Sequence, residues 1–595
     1  MLYASVIVKQ RTQVSELTYG LNAQIIPYVK VGSLVLVPLR KKSVKGVVVG
    51  FSRSVAKDIK NSVREIIKLD KNLQVFSSAQ IEVIHHLAKY YAAPLAEVAF
   101  HALQFPQPSG KGQASTCKVA GRGLSFRVGF KPLIISGSLS QRCQAYQRIL
   151  QKTTGRVLFI FAQNTFATSF YDSLAAELQS NVVYHIRRPS QAKLMAEVGQ
   201  PGIKAIIGTL GEAFVPLQPG DTIIVDQPYH IGAKSQSRPF MSSRRIALIR
   251  GEVEGLRVVL GDSVISPGDL LAVKDKKFRL TTAKSIGREL TIVDRRGQKD
   301  AIAPSVVEEI EHAVSSGQRI LVLVMARGWS SALVCRECGY VFTCQNCNRT
   351  PGVRDGQLRC GYCASEVEMP KTCPSCRSAD LKPIGGGVSA ITKQLSDKFS
   401  ATKVQELSSD APALDPKSVI TVATEKIFSF PGTWFDQTFI INADRLLSGT
   451  HLDGAWRLLG YLIELQDCSK NIVVQTYFPD SIVWVAAATG NVRPFFVQEM
   501  ANRRQLNLPP YGAIIAARGS ANSTNKLFEQ TEKITEELLK ILPKADISYP
   551  EIDDHGGNAY QGHFTIYLPK PPQSSLKTNL ASLLPQSWHL DIDGG

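Results

Sequence analysis

Short apolar runs at Ala4–Val8, Ser33–Leu39 and Gly46–Gly50 read as strands. The last two flank Arg40, Lys41, Lys42 and Lys45, which predicts a hairpin with a charged tip. The period then changes. Ile81, Ile84, Leu87 and Ala88 fall at helical spacing within Ser78–Tyr91. A Pro/Gly/Ser-rich stretch, Pro106–Ala114, marks a linker. Beyond it, apolar runs at Leu133–Ser136, Val157–Phe161, Ala205–Ile207, Ile223–Val225 and Val258–Leu260 alternate with helical segments. Such alternation predicts a parallel sheet with helices on both faces. A second unit of the same kind starts near Ile320–Val324, is interrupted, and resumes at Val419–Val422, Phe439–Ile441 and Ile472–Gln475. The amphipathic helix Lys526–Leu542 and the strand Phe564–Leu568 close the pattern.

The expected fold class is therefore multidomain α/β. An N-terminal strand-rich domain spans 1–105 and a linker 106–130. The first α/β lobe spans 131–295. The second begins at 296–334 and resumes over 381–511 around an insertion at 335–380. A small α+β domain fills 512–595. No internal repeat appears beyond the two α/β units.

The interruption carries the chain's most specific chemistry. Eight of the eleven cysteines lie within about forty residues, as Cys335/Cys338, Cys344/Cys347, Cys360/Cys363 and Cys373/Cys376. A Cys-x2-Cys hairpin points two thiolates at one centre, and two hairpins complete a tetrahedral set. Eight sulfurs make two closed sites, read as two structural zincs. Four sulfurs leave no position open for water, so such a metal shapes the chain rather than doing chemistry. Iron competes for the same donors. A disulfide framework suits small secreted domains, and neither the length nor the N-terminus fits that class.

The formal net charge is +19 and the pI about 9.4, as expected of a chain that meets a polyanion, usually nucleic acid. Residues 1–70 hold twelve Lys/Arg against four Asp/Glu. No apolar run reaches membrane-spanning length, so no membrane partner is expected.

Two α/β units invite a search for nucleotide chemistry. A phosphate-gripping loop needs Gly-x4-Gly-Lys-Ser/Thr between strand and helix, and the chain has none. Its nearest counterpart is Gly137-Ser138-Leu139-Ser140-Gln141, with Arg142 just inside the helix and no lysine. Downstream, Thr222–Asp226 looks like a strand ending in a metal-binding aspartate, although a turn or helix cap is the plainer reading of Asp226. Gln227 stands where a carboxylate would orient attacking water, and an amide takes no proton.

The order of these pieces resembles the PriA family of bacterial replication-restart helicases. The likeness rests on Tyr90-Tyr91-x-x-Pro94-Leu95, Arg327-Gly328-Trp329 before the cysteines, Gln475-Thr476-Tyr477-x-Pro479, and Phe495-Phe496 running into Arg503 and Pro509-Pro510-Tyr511. It implies a barrel that binds a nascent 3′ end, two RecA-like helicase lobes and a twin zinc insertion. It also implies the pairing: Cys335, Cys338, Cys373 and Cys376 on one ion; Cys344, Cys347, Cys360 and Cys363 on the other.

The departures fall on ATP chemistry. The family's Gly-Ser-Gly-Lys-Thr aligns with Gly137–Gln141, and its Asp-Glu-Glu-His becomes Asp226-Gln227-Pro228-Tyr229, with His230 displaced by one. Its Ser-Ala-Thr-Pro motif reads Asp262–Pro267. Its late arginine motif becomes Leu465–Lys470, which has no arginine. Together they point to a motor that no longer holds ATP and Mg²⁺. The family's winged helix has no room in the linker. Thr18, flanked by Tyr19, replaces the aspartate that meets a 3′-hydroxyl and would bond it without charge assistance.

The function this implies is recognition of forked or single-stranded DNA in the bacterial cytoplasm, at the nucleoid, with primosome nucleation but no unwinding. The implied partners are a single-strand-binding protein and primosome or helicase-loader proteins. The implied DNA contacts are Thr18, Tyr19, Arg40, Lys41, Lys42 and Lys45, although core packing is the plainer reading of Tyr19, Tyr90 and Tyr91. An active 3′–5′ helicase and a zinc-stabilised protein scaffold are the alternatives.

Overall fold

The computed structural model describes residues 2–8, 16–55, 63–102, 131–186, 191–282, 289–296, 298, 300–325, 332–345, 351–354, 356–359, 365–384, 387–409, 411–447, 452–543, 545–548, 551–554, 560–585 and 587–592. The expected linker, the winged-helix gap and Arg327–Trp329 lie outside them.

An antiparallel five-stranded sheet opens the chain, ordered Leu17–Gly20, Tyr3–Val8, Lys42–Ser52, Ser33–Leu39, Lys68–Gln74. Its inner face buries Val6, Val35, Val37 and Val48. Leu39 pairs with Lys42, so the expected hairpin turns on Arg40 and Lys41 alone, with Arg40 left-handed at φ 55. Arg64 donates to the Arg40 carbonyl at 2.8 Å and steadies the turn. Arg40, Lys41 and Lys42 are exposed and have no ion-pair partner among the described residues. Lys45 differs: Asp70 pairs with it at 2.7 Å, so its charge is spent within the domain. Tyr19 is 4 % exposed and donates its hydroxyl to the Pro38 carbonyl at 3.1 Å. That ring is part of the core, the plainer of its two readings, and so it does not face outward to stack on a base. Thr18, half-buried, pairs with Ser5 at the sheet edge.

The predicted helix forms over Ser78–Tyr91, started by a reciprocal capping box between Ser77 and Gln80. Its buried face continues the apolar core into the first lobe, where Tyr91 accepts from the Ser242 amide at 2.9 Å. Tyr90 lies under the Arg245 guanidinium, 3.7 Å from ring centre to Cζ. Both tyrosines therefore fasten domain to lobe.

The first lobe is a parallel seven-stranded sheet. Its order is Arg279–Thr282, Leu133–Ser136, Arg257–Asp262, Thr222–Asp226, Val157–Ile160, Ala205–Gly208, Val182–Tyr184. The two edge strands escaped the sequence reading because each is short and only half-shielded. The second lobe is a parallel six-stranded sheet, ordered Leu290–Asp294, Ser469–Thr476, Phe435–Ile441, Ile320–Val324, Ile420–Ala423, Val404–Leu407. Its first strand lies before the boundary expected at 295. Leu290–Asp294 pairs with Ile472–Thr476 and belongs to the second lobe.

In the insertion, Ala332–Cys335 pairs with Leu381–Ile384, which brings the first and last cysteine pairs together. The C-terminal sheet is ordered Asp546–Ile547, Tyr560–Leu568, Ala513–Ala521, Trp588–Asp591, and the helix Thr524–Ile541 packs on it. Lys234 of the first lobe pairs with buried Asp591 at 2.5 Å, and Arg238 donates to the Trp588 carbonyl at 2.8 Å.

Candidate nucleotide cleft and metal centre

Ligands of open α/β sheets bind beyond the carboxyl ends of the strands. In the first lobe three strands end there side by side, at Ser136, Asp226 and Asp262. From Ser136 the chain passes through Gly137 to Ser138, the N-cap of the helix Leu139–Lys152. Ser138 and Gln141 form a capping box, with the Ser138 amide donating to Gln141 at 3.0 Å. The free N–H groups of such a helix start normally face a bound phosphate.

Here they face protein. The Leu139 amide donates to Glu464 Oε2 at 3.0 Å, and the Ser140 amide donates to Asp467 Oδ2 at 2.7 Å. The hydroxyls of Ser138 and Ser140 donate to Asp467 Oδ1 at 2.9 and 2.6 Å. Glu464 ends the helix Gly454–Glu464 of the second lobe, and Asp467 closes the turn that follows. Two carboxylates from the opposite lobe thus satisfy the donors that a phosphate would otherwise take.

Arg142 completes the arrangement from within. Its side chain is fully buried. Nε and Nη2 donate to the two oxygens of Asp226 at 2.7 and 3.2 Å, and Nη1 donates to Glu464 Oε1 at 2.8 Å and to the Gly137 carbonyl at 2.6 Å. Tyr146 donates its hydroxyl to Asp226 Oδ1 at 2.6 Å. Asp226 is therefore neither turn cap nor open metal ligand: it is the buried counter-ion of Arg142. Gly261 permits this packing, since a Cβ there would fall 1.5 Å from the Tyr146 hydroxyl.

The surroundings are acidic for one guanidinium. Burial pushes the Asp262 carboxyl up to about 7; Arg142 opposes the shift and Asp226 adds to it. Burial also raises Glu464, against the pull of Arg142. Tyr146 is held protonated, well above its ordinary range, by burial and then by Asp226, as its role as donor requires. Gln227 takes a left-handed φ of 50. The displaced His230 accepts from Gly232 and meets Gln163 at 2.9 Å, so it is tied down within its own lobe.

The lobes also meet through Trp456, whose indole donates to the Ile265 carbonyl at 2.7 Å. Gly460 lies so close to Ser263 that a Cβ would come within 2.9 Å of its hydroxyl. The sequence reading saw Leu465–Lys470 only as a segment lacking arginine. It missed Glu464 and Asp467 as suppliers of negative charge, and Arg142 as their partner. The available signal was a reversal of sign: a lysine lost from the first lobe's loop, carboxylates standing in the second.

Thr18, Arg40, Lys41 and Lys42 lie in the N-terminal domain, apart from this cleft, and the structure does not bring them to it.

The cysteine module supplies a second centre. The sulfurs of Cys335 and Cys376 are 3.5 Å apart and those of Cys338 and Cys373 are 3.6 Å apart, with all four inside 4.8 Å. Bonds of about 2.3 Å to a tetrahedral zinc place sulfurs about 3.8 Å apart, so the donor set fits that ion. The two knuckles share one backbone device. Gly339 and Arg377, each four residues after the first cysteine of its pair, donate to that cysteine's carbonyl at 3.0 and 2.9 Å with left-handed φ of 75 and 61. Cys344 is described and buried, whereas Cys347, Cys360 and Cys363 lie outside the described residues.

Removing one partner of a buried ion pair typically costs about 3–5 kcal/mol, because the other charge stays behind. Arg142→Met strands Asp226 and Glu464 and is expected to lower stability by about that much in urea unfolding. A loss under about 1 kcal/mol contradicts a buried, paired guanidinium. Cys373→Ser is expected to remove one equivalent of zinc per chain, read by colorimetric release. An unchanged metal content contradicts the assigned ligand set.

Residues 5–104 match the family model described as the 3′ DNA-binding domain of PriA. The chain is 21 % identical over 571 residues to the replication restart protein PriA of Rickettsia felis, covering 87 % of each. It is 24 % identical over 365 residues to that of Bacillus subtilis, covering 56 % of this chain and 45 % of that protein, so the match spans less than half of that relative. Among solved structures, a DEAD box protein from Methanococcus jannaschii is 10 % identical at a TM-score of 0.27, over 60 % of this chain and 86 % of that one. The Mycobacterium smegmatis helicase Lhr bound to ssDNA and AMP-PNP is 12 % identical at 0.31, over 63 % and 46 %. Those scores are too low to bear on function. The N-terminal domain thus matches the PriA 3′ DNA-binding domain, and the chain is similar to named PriA proteins over most of its length.

Proposed function

We propose that this chain recognises forked or single-stranded DNA during replication restart and nucleates primosome assembly without ATP-driven unwinding. The observation that carries this reading is the filled cleft. Glu464 and Asp467 take the N–H groups and hydroxyls of the vestigial loop, and Arg142 takes Asp226. A nucleotide would have to displace both carboxylates, and their negative charge repels its phosphates. Among the described residues, those left there supply no lysine to draw phosphate and no open aspartate to hold Mg²⁺.

What remains suits a static grip. The hairpin tip of Arg40, Lys41 and Lys42 offers three exposed cations for backbone phosphates, whereas Lys45 is neutralised by Asp70. Thr18 offers a hydroxyl to a strand end without the charge that would make the bond strong. The cysteine module holds two zincs, the second on Cys344, Cys347, Cys360 and Cys363. It presents a rigid surface to a single-strand-binding protein or to loader proteins. The protein acts in the bacterial cytoplasm, on the nucleoid.

Fork binding and phosphate release, measured on one preparation, test this directly. The expected result is tight, salt-sensitive fork binding with no DNA-stimulated phosphate release. Stimulated hydrolysis contradicts the proposal and restores a working helicase. Absence of DNA binding at low salt favours a protein scaffold instead.

A further inference from the structure

At the amino ends of the first lobe's strands lies a cleft of about 640 Å³ with a one-sided charge. Its rim carries Lys131, Arg148, Lys152, Arg257 and Arg279, and among the described residues no acidic side chain lines it. All five are exposed, and none has an ion-pair partner among the described residues. The floor is apolar, built from Leu133, Leu256 and Val258. Thr222 also lines it; that residue is 1 % exposed, and its hydroxyl has no hydrogen-bond partner among the described residues. Buried polar groups are ordinarily bonded, so this one stands out.

Part of the charge has a local explanation. Arg148 and Lys152 stand near the C-terminus of the helix Leu139–Lys152, where cations complement the helix dipole. That account does not reach the other three. Arg257 and Arg279 each open a strand, and Lys131 stands two residues before one. Three separate segments thus bring cations to one concavity from which carboxylates are missing. Like charges gathered this way repel one another until an anion arrives. The strands that begin at this cleft end at the filled one, so the two sites are separated by the sheet's length, about 15 Å.

We propose that this cleft is a second nucleic-acid contact, which holds backbone phosphates of a DNA arm on its cationic rim. The inference rests on the reading of the chain as a DNA-binding protein. Two features favour a polyanion over a small anion. The cations ring an open mouth rather than converging in an enclosed pocket, and the whole chain carries +19. The contact would give the first lobe a use that needs no nucleotide. Together with the basic hairpin it would grip a fork at two places.

The test compares the full-length parent, Arg148→Glu/Lys152→Glu, and Arg40→Glu/Lys41→Glu/Lys42→Glu, by fluorescence anisotropy on labelled forked DNA across a salt series. The rim variant alters exposed side chains only, and an unchanged melting temperature checks that it folds. The expected result is at least a tenfold loss of fork affinity, with the salt slope reduced by about 2. Inorganic phosphate at millimolar concentration should not reproduce the effect by competition at constant ionic strength. A rim variant that binds like the parent, while the hairpin variant is weakened, overturns this inference and leaves the proposed function standing. A parent that binds no DNA overturns both. Photocross-linking of iododeoxyuridine-substituted forks to the unaltered protein gives an independent reading. Cross-linked peptides within 131–152 or 251–257 support the cleft, and cross-links confined to residues 1–102 overturn it.

Discussion

The arrangement of the two lobes depends on one buried guanidinium. Arg142 is fully enclosed and shared between Asp226 of its own lobe and Glu464 of the other. Charge cannot be left unpaired in such a place without a penalty of several kcal/mol. The first lobe must therefore keep Asp226 turned inward, and the second must keep Glu464 at the junction. Asp467 adds hydrogen bonds to the start of the same helix, and Trp456 ties its own lobe to the Ile265 carbonyl. Separating the lobes would expose these groups together.

This junction inverts the electrostatics of a nucleotide-driven pair of lobes. In phosphoryl-transfer sites a bound phosphate carries the negative charge, lysine and Mg²⁺ answer it from one side, and an arginine answers it from another. Here the second lobe brings the negative charge itself and the first lobe supplies the arginine. The contact is complete without a ligand. On the proposed function, closure of the lobes needs no nucleotide. The cysteine knuckles and the basic hairpin lie outside this junction, so their chemistry is independent of it.

Much of the architecture was legible because it is local. Fully buried strands such as Ile320–Val324 and Val157–Ile160 announce themselves as unbroken apolar runs. Cysteine pairs with two residues between them announce a tetrahedral centre, and Cys335, Cys338, Cys373 and Cys376 bring their sulfurs together as the family resemblance implied. The edge strand Arg279–Thr282 was invisible because its exposed, polar residues carry no apolar signal. Leu290–Asp294 was placed in the wrong lobe because nothing in five residues says which sheet they will join. Tyr19 illustrates another limit: an aromatic beside a polar residue reads as core more readily than as a stacking platform, and only packing decides. The central ion pair was the hardest to foresee. Arg142 and Glu464 are 322 positions apart, and no periodicity links them. Loss of the loop lysine was readable, but the carboxylates that fill its place emerge only when the lobes close.

The most direct test is the interlobe distance itself, measured by double electron–electron resonance between spin labels carried on unnatural amino acids at exposed Gln144 and Lys470. A lobe pair held by Arg142, Glu464 and Asp467 gives one narrow distance that neither ATP with Mg²⁺ nor forked DNA changes. A distance distribution that is broad without nucleotide, or that shifts when ATP is added, contradicts an ion-pair junction standing in for the nucleotide.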